Sequence, residues 1–142
     1  MTEEKNKEKE AKAQELYMQL NTMNQQMVEL QKQIQTMEET IFEVNESKKG
    51  LDDVSKSEKG KEILVPIISG IFAKAELKEP KEFIVNVGSN TAVVKSIEDV
   101  QKILDKQLTE MQKTQNTFVD SLTQLTVEAK KAEKGLKELI EK

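Results

Sequence analysis

The stretch Glu62-Ile-Leu-Val-Pro-Ile-Ile-Ser-Gly-Ile-Phe-Ala-Lys-Ala-Glu-Leu77, followed after a polar turn by Phe83-Ile-Val-Asn-Val-Gly-Ser-Asn-Thr-Ala-Val-Val-Lys-Ser96, has a different period and composition from everything around it. Ile63 to Ile68, Ile71 to Leu77, Phe83 to Val87 and Thr91 to Lys95 are short runs rich in β-branched residues, and they read as four strands. Turn chemistry separates them: Ser69-Gly70, Lys78-Glu79-Pro80-Lys81 and Gly88-Ser89-Asn90, where Gly and Asn supply positive φ and Pro80 presets a bend. The insert is therefore two β-hairpins joined by a turn. About 35 residues of strand cannot cover both an inner face such as Phe83, Val85 and Val87 and an outer one such as Ile63, Val65 and Ile67 within one small sheet. Unpaired edges also seek further strands. The block is expected to be an oligomerisation platform, incomplete in a monomer, with Ile63, Val65, Ile67, Ile71, Phe72, Phe83, Val85, Val87 and Val93 joining the subunits.

Outward from this block the period lengthens. On its N-terminal side Leu16, Leu20, Met23, Met27, Leu30, Ile34, Met37, Ile41, Val44 and Leu51 follow at alternating steps of four and three, with Lys48 in the one missing place. That is a heptad seam, an apolar stripe narrow enough to need a partner helix. The C-terminal side repeats it with Ile97, Leu104, Leu108, Met111, Phe118, Leu122, Leu125, Ala129, Ala132, Leu136 and Leu139, and with Gln101 and Gln115 in the gaps. Ser96 with Asp99 three residues on resembles a capping box and marks the start of this helix, while the first helix should end between Gly50 and Gly60. Helices of about 45 residues reach roughly 70 Å, and their equal lengths argue that they pair with each other. The expected fold is α+β, mostly α: a long antiparallel coiled-coil hairpin with two β-hairpins inserted between its helices. Residues 1–56 form the first helix, 57–96 the platform and 97–142 the second helix, as one domain overall.

Composition agrees with an elongated molecule. The 142 residues are 36% hydrophobic and 34% charged, with 4% aromatics and no Trp, too polar for an ordinary compact core. No cysteine excludes disulfides and thiol catalysis, and no histidine removes the commonest general base and metal ligand. Lys49-Gly50 and Lys59-Gly60 lack the spacing of a phosphate-binding loop. With no nucleophile beside a base and no metal cluster, an enzyme is not expected, and neither is a cofactor. All 22 basic residues are Lys, so no planar guanidinium is present to grip phosphate or a base edge, and the net charge of -4 also disfavours nucleic acid. The run from Met1 to Glu10 is charged rather than signal-like, and no apolar stretch of about 18 residues occurs. A cytoplasmic protein without membrane contact is expected.

Two long heptad helices flanking two hairpins resemble the alpha class of the prefoldins, of archaeal type; the beta class carries one hairpin between its helices. The segment with Leu64-Val65-Pro66 and Phe72-Ala73-Lys74-Ala75-Glu76-Leu77 resembles the first alpha hairpin, and Val85 to Ser96 resembles the second. The resemblance covers essentially the whole chain. One departure is the single Gly70 in the first turn, where family members usually carry more glycine. The resemblance implies an ATP-independent chaperone assembled as a hexamer of two alpha and four beta-class subunits, whose platforms join and whose six arms surround a cavity. Non-native client polypeptides would be held between the arm tips and passed to a group II chaperonin. A filament-forming structural relative is the alternative with the same fold.

Apolar residues off the seam carry the remaining information. Val28 and Val119, taken singly, read as ordinary surface apolars, whereas Phe42, Val100 and Ile103 are expected to pack under the sheet. A hairpin symmetric about the β block sets Leu16 opposite Ala132, so that Leu136, Leu139 and Ile140 extend past the last seam residue of the first helix, face the charged run from Lys5 to Lys12, and stay partly exposed. With Tyr17, Met18 and Val127 they are the candidate client-binding residues, because exposed apolar groups and a pliable thioether suit loose contact with unfolded chains. A frayed C-terminal turn without a duty is the competing reading. Lys48, Gln101 and Gln115 read as seam residues that set register. The mixed Lys and Glu runs at both ends read as solvated faces, with contact to a charged chaperonin surface as the other reading.

Overall fold

Helix-forming flanks and a strand-forming centre fold as their periods predict. The structure, a computed structural model, describes residues 2–141. Its element order is α1 (Thr2–Ser55), β1 (Glu62–Ile68), β2 (Ile71–Glu76), β3 (Glu82–Gly88), β4 (Thr91–Ser96) and α2 (Ile97–Glu141). The chain forms two compact units, one of residues 2–39 with 112–141 and one of residues 40–111.

The first unit is wholly helical. On α1 the residues at three- and four-residue steps, from Leu16 through Leu20, Met23, Met27, Leu30 and Ile34 to Met37, are half-buried, while almost every residue between them is exposed. A two-helix seam allows no more than this, because water reaches both flanks of each seam side chain. On α2 the matching stripe holds Phe118, Leu122, Leu125, Leu136 and Leu139 half-buried, and the small Ala129 and Ala132 are buried, each 8% exposed. Polar groups are used sparingly across the seam. Gln115 donates from Nε2 to the Ile34 carbonyl at 3.5 Å, and the Thr126 hydroxyl, which donates to the Leu122 carbonyl at 2.8 Å, also approaches Met27 Sδ at 3.6 Å. Register departs from the symmetric expectation. Leu16 Cδ1 lies 3.6 Å from where a Cβ on Gly135 would sit, three residues beyond Ala132. The seam also continues to Ala13, half-buried three residues before Leu16.

The second unit carries both hairpins. α1 ends at Ser55, inside the predicted window, in a turn held by Lys56 N–H to Asp52 C=O at 3.2 Å and Ser57 N–H to Val54 C=O at 3.0 Å. β1 and β2 pair antiparallel, as do β3 and β4, giving two separate two-stranded sheets. The first turn has Gly70 at φ 81, the left-handed conformation that glycine adopts without steric cost. In the second, the two central residues Ser89 and Asn90 both have positive φ (50 and 58), the hairpin geometry whose twist matches that of its strands. Asn90 is the expected residue there, and Ser89 is an L-residue whose side chain does not announce that conformation. Asn86 Oδ1 accepts from the Gly88 N–H at 3.0 Å and braces the approach to the turn.

The return to helix is capped as predicted: Ser96 Oγ accepts from the Asp99 N–H at 3.2 Å, and the Ile97 N–H donates to the Lys81 carbonyl at 3.1 Å. Ile97, Val100 and Leu108 are buried, and Ile103 is half-buried. Phe42 does not pack. It is 64% exposed, because it stands one residue past the seam residue Ile41 and is thus rotated about 100° away from it. Lys48, in its half-buried seam place, pairs with Asp105 of α2, which gives the polar seam position a defined partner.

Candidate binding surfaces

Helical spacing builds a shallow apolar cleft in the first unit. Ala13 and Tyr17, Gln14 and Met18, and Leu136 and Ile140 are each one turn apart on their helices, and together they line it. Tyr17 is 60% exposed, Met18 68% and Ile140 72%, while Ala13 and Leu136 are half-buried and form the closer-packed part of the lining. The cleft contains no charged side chain. It can accept an apolar side chain loosely, and it holds no group that would do acid–base or nucleophilic chemistry. Of the six candidate client residues, Tyr17, Met18, Leu136 and Ile140 are brought together here. Leu139 is half-buried in the seam stripe and Val127 is exposed, and neither lines the cleft. Ala13 and Gln14 were the missed members; for Ala13, the spacing of three from Leu16 is the signal that could have found it.

The second surface is the strands. Each has one hydrogen-bonded neighbour within the described residues, so each sheet keeps two free edges. In the second hairpin the pleat separates two faces. Phe83, Val85 and Val93 are half-buried, with Val85 directly opposite Val93, while the cross-strand pair Ile84 and Val94 faces out at 78% and 65% exposure. In the first hairpin Ile63, Ala73 and Ala75 are half-buried, and Leu64, Ile67, Ile68, Ile71 and Phe72 are exposed, with Val65 more covered than these. Val87 is exposed as well. Between the hairpins Ile63, Leu77, Phe83, Ile84 and Val94 line a cleft whose rim carries Glu76, Lys78, Glu79 and Glu82. Leu64, Ile68, Ile84 and Val94 were absent from the expected assembly set, although their alternation with the chosen residues marks them as the other face of the same strands.

Among the described residues there is no group of three His, Cys, Asp or Glu side chains placed to hold a metal, and no helix is long and apolar enough to cross a membrane. Among the described residues the one ionisable group clearly moved from its ordinary value is Lys56, just past the end of α1, whose ammonium pKa is raised by a hydrogen bond to Asp52 and then by the charge of that carboxylate.

Comparison with known proteins places this architecture. A family model described as Prefoldin subunit matches residues 23–142. Prefoldin subunit alpha of Thermofilum pendens is 31% identical over 109 residues, which cover 77% of this chain and 84% of that protein. Prefoldin subunit alpha of Methanosarcina acetivorans is 31% identical over 116 residues, covering 82% of this chain and 79% of that protein. Among solved structures, the cryo-EM structure of a filamentous PFD from Methanocaldococcus jannaschii matches with a TM-score of 0.74 at 17% identity, over 81% of this chain and 95% of that chain; at such identity the likeness concerns the fold.

Proposed function

The chain belongs to the prefoldin family, a family of oligomeric chaperones rather than of enzymes, and from that premise we propose that it is an ATP-independent holding subunit that captures non-native polypeptides on the apolar cleft at the end of its helical pair. The observation that carries this reading is the cleft itself. Tyr17, Met18 and Ile140 stand open to solvent beside Ala13 and Leu136, in a stretch of helix whose other exposed positions are almost all polar. Such a surface is too small to bind a client tightly by itself. Several copies tethered to one platform would raise the effective concentration of each further cleft once one has engaged, so avidity would exceed single-site affinity by about two to four orders of magnitude. The open strands would provide that platform. In this reading they join beta-class subunits in a hexamer of two alpha and four beta chains, and the client passes to a group II chaperonin.

The test is dilution of a denatured client into the assembled complex, followed by light scattering. Removing residues 135–142 deletes Leu136, Leu139 and Ile140 while leaving both hairpins, so assembly should persist and aggregation of the client should rise. Full protection by the truncated complex would assign holding to another surface. A second reading, a filament built from this chain alone, is favoured by the match to a filamentous PFD and by the free edges of both hairpins. Negative-stain images of the purified chain distinguish the two, with long fibres supporting the filament and short discrete particles supporting the reading in which beta-class subunits complete the assembly.

A further inference from the structure

The chain has six methionines and neither cysteine nor Trp, so its readily oxidised side chains are thioethers. Five of them are described, and they fall into two environments. Met23, Met27, Met37 and Met111 are half-buried in the seam, and Met27 also has the Thr126 hydroxyl 3.6 Å from its sulfur. Met18 is different: it is 68% exposed, stands off the seam, and lines the apolar cleft with Tyr17, Leu136 and Ile140.

We propose that Met18 is a modification site for hydroperoxides, at which oxidation to the sulfoxide makes the cleft polar and weakens its hold on apolar client segments without disturbing the helical pair. The inference rests on the cleft being the client surface. The step balances as an oxygen-atom transfer. A sulfur lone pair attacks one peroxide oxygen, the O–O bond breaks as the S–O bond forms, and the departing hydroxide takes up the proton released to give water. Sulfur loses two electrons and the peroxide gains them. Exposure decides the order of reaction, since Met18 is 68% open to solvent while the seam thioethers are half-buried between the helices. The consequence is also local. A sulfoxide at Met18 adds a strong acceptor to a lining of six residues, and an apolar client side chain covering it would leave that acceptor without a partner. At a seam position the same oxygen would be damage, because it would enter the packing between the helices. Off the seam it changes what the cleft binds and leaves register alone. Reduction of the sulfoxide by a methionine sulfoxide reductase would restore the thioether.

The experiment exposes the full-length chain to hydrogen peroxide for graded times, removes the peroxide with catalase, measures sulfoxide at each methionine by tandem mass spectrometry, and assembles the treated chain with untreated beta-class subunits. Client light scattering and circular dichroism are recorded on the same samples. Met18 is expected to oxidise about threefold or more faster than Met23, Met27 or Met37, and holding capacity should fall in step with Met18 sulfoxide at unchanged helix content. Met18→Leu, whatever its starting capacity, should lose no further capacity over the same exposure, and sulfoxide reductase should return the wild-type chain to its untreated value. Equal oxidation of the seam methionines, or parallel loss of capacity by Met18→Leu, overturns the inference. An untreated Ile140→Asp chain serves as the reference for the cleft. If it holds client as well as the wild type, the client reading fails. If it holds poorly but Met18 oxidation changes nothing, the cleft stands and the switch is overturned.

Discussion

The two halves of this molecule treat their apolar residues in opposite ways. Along the helical pair, Leu20, Met27, Ile34 and Leu122 find partners within the same chain and are half-buried, whereas in the hairpins Leu64, Ile68, Phe72, Ile84 and Val94 remain open. The difference follows from topology. A helix that folds back on a second helix of similar length supplies its own cover for a narrow stripe. A two-stranded sheet has two faces and two free edges, and at most one face can be covered by the chain that made it. The helical pair is close to self-sufficient, and the hairpins are surfaces in need of other strands.

The largest effect should come from charging the open face. Ile84→Lys places an ammonium at the most exposed large apolar residue of the hairpins, so the chain should keep its helix content while self-association weakens by about 100-fold or more, as sedimentation velocity and circular dichroism on one sample would register. Unchanged association would move the contact to another face. Val85→Lys, on the half-buried side opposite Val93, should damage the hairpin as well as the assembly.

In the helical pair the signs reverse. Leu122→Ala should cost about 2 to 3 kcal/mol, near the lower end for core leucines because the side chain is half-buried, and should leave association through the hairpins intact. Thermal melts at matched concentration would show it. Gln115→Leu should stabilise by about 1 to 2 kcal/mol, since the 3.5 Å bond to the Ile34 carbonyl is long and an apolar residue fits the seam; a lower melting temperature would reveal that this bond holds the register. Gly135→Ala should add about 0.5 to 1 kcal/mol through helix propensity, because the new Cβ meets only Leu16 Cδ1 at 3.6 Å, an ordinary contact. The smallest effect is at the end of α1. Asp52 raises the Lys56 pKa in the folded chain, so their bond contributes at neutral pH and is lost as strongly alkaline pH passes through that raised value. Fraying of the last helical turn with rising pH, absent in Asp52→Asn, is the expected sign in amide exchange.

Much of this was legible from residue order. Ser96 and Asp99 marked the start of α2, and Gly70 and Asn90 marked the two turns, because caps and turns depend on a few neighbouring residues and their conformational limits. Four members of the apolar cleft could be named, Tyr17, Met18 and Ile140 because their departure from the heptad is itself a local pattern and Leu136 because the second seam runs past the end of the first. Three things were not legible. The role of Ser89 was hidden because its side chain does not advertise positive φ. The openness of Ile84 and Val94 depended on which face of the pleat the rest of the unit covers. Phe42 was assigned a packing role that its rotation off the seam denies it.

The sequence by itself determined the kind and order of the elements, since a period of 3.5 or of 2 is carried by each segment alone and needs no partner to be read. Tertiary structure decided the register that sets Leu16 over Gly135, the pairing of Lys48 with Asp105, the separation of the strands into two sheets and the convergence of Ala13, Tyr17, Met18, Leu136 and Ile140 on one cleft. A heptad stripe specifies that a partner helix is needed without stating where along that helix each residue must sit. The alignment is chosen by which side chains fit between which, and those are residues far apart in the chain.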